Sequence, residues 1–179
     1  MIEITPTEAQ KKEARLTAGE TIGLQGSITR GGGSPAGALG EILIRDYLGY
    51  TQANTAHYDL LRDETRIDVK TKRCTSAPRE FYECSIAAHG TKQECDEYIF
   101  VRVLNNLTRA WILGRISKDE YFSKAVRHKK GELDESNGFT FKADCYNLPI
   151  SDLWKIKHNY STSPSNSIGT VTSSSISTA

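Results

Sequence analysis

The sequence predicts an α/β (α+β) domain in which a central mixed sheet is flanked by helices. Three observations lead to it. Helical spacing of apolar residues governs the chain as far as Gly49, and strand spacing takes over from Ala56. Glu97-Tyr-Ile-Phe-Val-Arg-Val-Leu104 is β-branched and aromatic almost throughout, as a buried strand is. The 179 residues, 37% hydrophobic and 25% charged, suit one globular core rather than two.

Each element follows from local chemistry. Thr5-Pro6-Thr7-Glu8 reads as a helix start with proline in the first turn, and the polar helix runs to about Leu16. Ser27-Ile-Thr-Arg-Gly-Gly-Gly-Ser-Pro35 is rich in glycine but lacks the Gly-Lys-Ser/Thr of a P-loop. It is either a surface loop or a strip of backbone that lays Arg30 against phosphates. Ser34-Pro35 opens a second helix, and Gly49 closes it after Leu48. Leu39, Ile42 and Leu43 share one face while Ile44 and Leu48 lie towards the other, so this helix is buried. Glu41 falls beside Ile44 and Leu48. It is either half of an ion pair with Arg45 or a carboxylate held at the edge of the core.

Ala56 to Leu61 and Thr65 to Lys72 read as strands joined by a tight turn at Arg62-Asp-Glu-Thr65. Glu80 to Ala87 is a third strand, and Ala88 to Glu94 is polar enough for a short helix. The Glu97–Leu104 strand turns at Asn105-Asn106 and pairs with Arg109 to Ile116. Ser117-Lys-Asp-Glu120 is a capping box that opens a helix to about Arg127. Gly138 to Tyr146 is the last strand, and Leu148 to Trp154 closes the domain. The organisation is thus an N-terminal helix and linker over 1–26, a domain over 27–158, and a Ser/Thr-rich tail over 159–179 that is expected to be disordered.

The net charge of +1 neither demands nor forbids a nucleic-acid partner, so basic residues must be concentrated locally to bind one. The cysteines at 74, 84, 95 and 145 make no CxxC pair, which points to reduced thiols rather than a structural zinc site. The N-terminus lacks the basic and apolar regions of a signal peptide, and no apolar run is long enough for a bilayer. A cytoplasmic protein with no membrane partner is expected, in a host cytoplasm if the chain is viral.

The chemistry concentrates in Tyr58-Asp59-Leu-Leu-Arg-Asp-Glu-Thr-Arg-Ile-Asp68-Val69-Lys70-Thr-Lys72. Residues two apart on a strand share a face, so Asp68, Lys70 and Lys72 project one way and Ile67, Val69 and Thr71 the other. With Asp63-Glu64 at the hairpin tip, Arg62 pairs with Thr65, Leu60 with Ile67, and Asp59 with Asp68. The two acids then stand within about 5.5 Å at Cβ. Such carboxylates repel unless a cation lies between them, and a hard divalent ion favours this kind of oxygen site. Lys70 projects beside the pair, where an ammonium can position or deprotonate water or offset phosphate charge. Asp-Glu is not a favoured two-residue turn, and a one-residue slip would send Asp59 to the opposite face.

This arrangement resembles the PD-(D/E)xK nuclease superfamily, which includes restriction enzymes, phage nucleases and junction resolvases. The resemblance implies a restriction-endonuclease-like core of order α-β-β-β-α-β, matched here from Pro35 to Leu104 and followed by C-terminal additions. Asp59 matches the first acid of its motif, Asp68 the second, Lys70 the lysine, and Glu41 the helical glutamate of many members. Tyr58 stands where the motif has proline. Gln93 falls where some members carry a glutamine after the lysine strand, within a looser local pattern. The resemblance implies phosphodiester hydrolysis, most simply by a DNA endonuclease, with RNA still open and a homodimer as one arrangement. It further implies Mg²⁺, with Mn²⁺ able to substitute, held by Asp59, Asp68, the Val69 carbonyl and Glu41. Arg30, Lys72, Arg73 and the run Arg127-His-Lys-Lys130 are candidate phosphate contacts. The alternative is a non-catalytic nucleic-acid-binding or assembly protein that retains the nuclease fold.

Overall fold

A computed structural model describes residues 1–20, 34–53, 55–88, 92–135 and 138–157. Residues 27–33 of the glycine-rich segment, Arg30 among them, and the Ser/Thr-rich tail lie outside the described residues. The chain opens with a short strand that its sequence did not announce, β1 (Ile2–Ile4). Helix α1 (Glu8–Glu20) then begins later than expected. Thr7 is its cap: the Thr7 hydroxyl accepts from the Gln10 amide, and Gln10 Oε1 accepts from the Thr7 N–H. That reciprocal pair satisfies two backbone groups that a start at Thr5 would leave open, so Pro6 precedes the helix instead of entering it.

Helix α2 (Pro35–Leu48) has the expected bounds. Proline takes the first turn, although the Ser34 side chain makes no capping bond. Gly49 ends the helix at φ 69°, a left-handed conformation that glycine adopts freely. Ala36, Leu39, Ile42, Leu43 and Ile44 are buried.

Three antiparallel strands follow: β2 (Thr51–Gln52), β3 (Leu60–Arg62) and β4 (Thr65–Cys74). Thr55 explains why the strand expected from Ala56 starts only at Leu60. Its hydroxyl takes the His57 and Tyr58 amides and donates to the Tyr58 carbonyl, folding this stretch into a turn. The hairpin register is the expected one for Arg62 opposite Thr65 and Leu60 opposite Ile67, but the expected Asp59–Asp68 pair is not formed: β3 starts at Leu60, and the Asp59 amide bonds to the Ile67 carbonyl. Asp63 bears the strain of the unfavoured turn at φ 54°.

The largest correction concerns the third predicted strand. β5 (Glu83–Ala87) exists, but it leaves the central sheet and pairs with β11 (Cys145–Pro149) in a second, three-stranded sheet with β8 (Val126–His128). The strands that run antiparallel beside one another in the central sheet before β6 are instead β2, β3 and β4, with β2 at the edge. Of the short helix expected over Ala88–Glu94, Ala88 and Lys92 are in 3-10 conformation, Gln93 and Glu94 are not helical, and 89–91 lie outside the described residues. β6 (Glu97–Leu104) returns parallel to β4, and β7 (Ala110–Ser117) pairs with it antiparallel. The central sheet has the order β1-β7-β6-β4-β3-β2 and is mixed because of the single parallel pair β4–β6.

Ser117 caps α3 (Lys118–Lys124) by accepting the Glu120 amide. The Glu120 carboxylate goes to Lys124 and to the Trp154 indole, not back to the cap. α3 stops short of Arg127 because Val126 to His128 are drawn into the second sheet. The strand expected over Gly138–Tyr146 is divided between β10 (Phe139–Thr140), which pairs with β9 (Leu133–Asp134), and β11. A 3-10 turn, Ile150–Asp152, leads to Trp154, which bridges back to Arg115.

Both faces of the central sheet are covered. Leu60, Ile67, Val69, Ile99, Val101 and Ile112 face the helices, against Leu39, Ile42 and Leu43. Tyr98, Phe100, Leu113 and Ile116 face the second sheet and α3, against Ile86, Tyr121 and Leu148. Each such aliphatic or aromatic side chain contributes roughly 1.5–3 kcal/mol on burial. Among the described residues no helix is long and apolar enough to cross a membrane. The four cysteines are free thiols, with Cys84 and Cys95 buried.

Candidate active site

Strand alternation sends Ile67, Val69 and Thr71 towards α2 and leaves Asp68, Lys70 and Lys72 on the face of Tyr98, Phe100 and Arg102, their register partners on β6. Asp68 is only 3% exposed, an unusual position for a carboxylate. Its Oδ2 lies 2.7 Å from Lys70 Nζ, yet off the direction of a hydrogen bond, so this buried oxygen keeps unused lone pairs. Lys70 is itself held in place. Its ammonium donates to Gln93 Oε1 (2.7 Å) and sits 5.9 Å from the centre of the Tyr98 ring. The Lys118 ammonium donates in turn to the Gln93 carbonyl. Gln93 thus shares in the site, and its order comes from the start of α3.

Asp59 immediately precedes β3. Its amide donates to the Ile67 carbonyl (2.9 Å), and its Oδ2 accepts the Val69 amide (2.7 Å). The carboxylate therefore takes the place on β4 that β3 would fill if it continued. In an extended strand the N–H and C=O of one residue leave towards the same neighbour, so the Val69 carbonyl is directed to the edge where Asp59 sits. The Asp68 carboxyl lies close enough to Asp59 to act on it through both charge and side-chain contact. Burial, followed by the charges of Glu41 and Asp68, pushes the Asp59 carboxyl well above the usual range, against the opposing pull of the Val69 amide.

Glu41 reaches the group from α2. Burial pushes its carboxyl up to about 7; the Asp68 charge adds to this and Lys70 opposes it. Arg45, the i+4 partner open to it from sequence, turns instead to Glu13 (2.6 Å) and Asp46 (2.8 Å). Gly40 sets the approach of this helix: a Cβ there would lie 1.9 Å from Thr71 Oγ1 on β4. Among the described residues no three His, Cys, Asp or Glu side chains form a ready-made metal cage, and Glu41 acts on the aspartates through charge rather than through a bond.

Past Ile67, β4 has no strand partner on the β3 side among the described residues. A cleft of about 560 Å³ opens along this edge, and its lining includes Glu41, Lys70, Lys72, Arg73 and Arg102. No family model matches the chain, and no curated protein matches it either. Function must therefore be read from the site itself.

The predicted residues divide clearly. Glu41, Asp59, Asp68, Val69 and Lys70 are brought together, and Lys72 and Arg73 line the cleft beside them. Arg30 lies outside the described residues. The run from Arg127 is not among the cleft's lining residues. Arg127 pairs with Asp144 (3.6 Å), and His128 stacks on Phe141 with ring centres 4.1 Å apart. Arg102 was missed. Its signal was available, as a lone cation inside an otherwise apolar strand.

Proposed function

We propose that the chain is a metal-dependent nuclease that hydrolyses phosphodiester bonds, most simply a DNA endonuclease with a restriction-endonuclease-like core. One observation carries this reading: three carboxyls, Glu41, Asp59 and Asp68, share a partly enclosed site with a single ammonium, at a cleft that also holds Lys72, Arg73 and Arg102. Protons relieve the mutual repulsion of these acids in the absence of a divalent cation.

The donor set fits Mg²⁺ or Mn²⁺. Hard oxygens are the preferred ligands, and the buried Asp68 Oδ2 has lone pairs to give. Asp59, Asp68 and the Val69 carbonyl would hold the ion, with Glu41 closing the set once it is ionised. A divalent ion in such a site supplies Lewis acidity, lowering the pKa of water and offsetting phosphate charge. The chain's own residues supply orientation. Asp59 is fixed by the Val69 amide and Lys70 by Gln93, so the ammonium is aimed before substrate arrives. Lys70 then lies where it can orient the attacking water or take up negative charge on the phosphate.

The test is cleavage of plasmid DNA by purified protein with Mg²⁺, Mn²⁺ or EDTA, compared with Asp68→Ala and Lys70→Ala. Both variants should lose on the order of 10²-fold or more in rate. Cleavage that survives in EDTA or in either variant would sink the assignment. Metal-independent binding with no cleavage by the wild type would favour the non-catalytic reading.

A further inference from the structure

Two residues beyond Lys70 on the same face of β4, a second concentration of charge is out of balance, with the opposite sign. Lys72 and Arg102 are register partners on the parallel strands β4 and β6 and project into the same cleft. Arg102 is only 8% exposed. Its guanidinium donates to the Glu83 main-chain carbonyl (2.8 Å) and packs 5.9 Å from the Tyr82 ring centre. Neither contact carries a full negative charge. Glu83 also lines the cleft and acts on Lys72 through charge, but it forms no salt bridge with either cation, and its carboxylate accepts from the Asn147 side-chain amide. Among the described residues neither Lys72 nor Arg102 forms a salt bridge. Although much of its side chain is exposed, the Lys72 ammonium is lowered by desolvation within the cleft and then by the Arg102 charge, while Cys84, Glu83 and Cys145 offset this only in part.

Two cations held side by side in a cleft repel unless an anion lies between them, and a guanidinium this deeply buried is costly without one. Arginine and lysine together are the usual pair for a phosphate, one presenting a planar fork and the other a point charge. The opposite wall of the cleft includes Ala36 and Gly37 in the first turn of α2, where the helix dipole also favours an anion. Along β4, Lys72 lies two residue steps beyond Lys70, roughly 6.6 Å. That is about one nucleotide's step along an extended strand.

We infer that Lys72 and Arg102 form a phosphate subsite, which holds the phosphate next to the scissile one on a bound nucleic-acid strand. The inference rests on the nuclease reading for the nature of the strand, while the subsite can be tested without catalysis. Binding of a labelled single-stranded oligonucleotide is measured in EDTA across a salt series, for wild type, Lys72→Gln, Lys72→Arg and Arg102→Lys. Lys72→Gln should bind about tenfold more weakly, with a salt slope lower by about one, and Lys72→Arg should restore both. Inorganic phosphate should raise the melting temperature of the wild type and leave that of Lys72→Gln unmoved.

A folded Lys72→Gln protein with wild-type affinity and slope would overturn the subsite. Because Arg102 is buried, Arg102→Lys is read only if its circular dichroism is native, and the exposed Lys72 carries the decision. Stabilisation by phosphate without any change in oligonucleotide binding would reduce the site to a small-anion site and overturn its role on a strand. If the wild type fails to cleave but the Lys72 effects appear, the nuclease reading falls and the subsite stands. If it cleaves and the Lys72 effects are absent, the reverse holds.

Discussion

Glu97 and the group formed by Glu41, Asp59 and Asp68 are both enclosed acids gathered on the central sheet, and their charges are balanced in opposite ways. Glu97, at the start of β6, meets two cations: Arg62 Nη2 at 2.8 Å and Arg115 Nη1 at 3.1 Å. One acid with two guanidiniums leaves no negative charge unanswered, and the cluster ties β3, β6 and β7 together. At the other group three carboxyls share the Lys70 ammonium, which contacts Asp68 directly. Burial is common to both and therefore does not separate a structural acid from a functional one. A surplus that neither a counter-ion nor water answers does, because such charge persists only if something else can bind there, whereas the surplus guanidinium at Glu97 is about a third exposed. The cationic pair Lys72 and Arg102 is the same signal with its sign reversed.

The sharpest way to test this contrast is by pH in the absence of metal. Glu41 gives up its proton near 4.5 when unfolded and near 7 when folded, so the folded state holds more protons between those values. Its contribution to stability is complete below about pH 4.5 and is lost as pH rises through 7, a change of about 3 kcal/mol. Asp59, also raised, acts in the same direction. Urea denaturation in EDTA at pH 5 and pH 7.5 should show wild type losing stability relative to Glu41→Gln, and added Mg²⁺ should reverse the loss. A difference between the two proteins that is independent of pH would remove the imbalance from the account.

Glu97→Ala breaks the comparison from its other side. It leaves Arg62 and Arg115 facing each other, and their side chains are 29% and 33% exposed, so water relieves part of the cost. A loss of about 2 kcal/mol is expected, below the range for a fully buried pair. Cleavage at a temperature where the variant remains folded should be unchanged. Lost activity in a folded Glu97→Ala protein would mean that the two acidic groups are coupled.

These contrasts were only partly legible in the sequence. Alternation along β4 gives Asp68, Lys70 and Lys72 a common face, and the Asp63-Glu64 turn gives the hairpin register, so both were readable from local rules. Asp59 is less regular than its neighbours: its amide bonds to Ile67 out of step with the ladder, and its place depends on Val69. Gln93 could be noticed, but its bond to Lys70 depends on Lys118 from a distant helix. Glu80 to Ala87 has the composition of a strand, which says nothing of the sheet it joins; β11, some sixty residues later, decides that. β1 and β2 are too short for periodicity to reveal. Glu97 looked like an ordinary first residue of a strand because both of its arginines come from other strands.

Gly40 offers the smallest and most local test of whether the imbalance is held in place by the fold. The close approach of α2 to β4 brings Glu41 towards the aspartates, and it exists because residue 40 has no side chain. An alanine Cβ would lie 1.9 Å from Thr71 Oγ1, 3.1 Å from Thr71 Cβ and 3.2 Å from its Cγ2, so the helix or the strand must move. Thr71 Oγ1 is buried with no hydrogen-bond partner, so removing it forfeits no bond. Gly40→Ala should therefore cost about 1–2 kcal/mol by overpacking, offset by about 0.5 kcal/mol from the better helix propensity of alanine. Adding Thr71→Ala removes the closest clash and should recover most of that loss in a double-mutant cycle. The informative readout is the pH dependence: in Gly40→Ala alone the helix is displaced, Glu41 is less enclosed, and the metal-free stability curve flattens towards that of Glu41→Gln. If Gly40→Ala loses stability but keeps the wild-type pH slope, then α2 shifts without carrying Glu41 away, and the carboxylate is positioned by its own surroundings rather than by the helix.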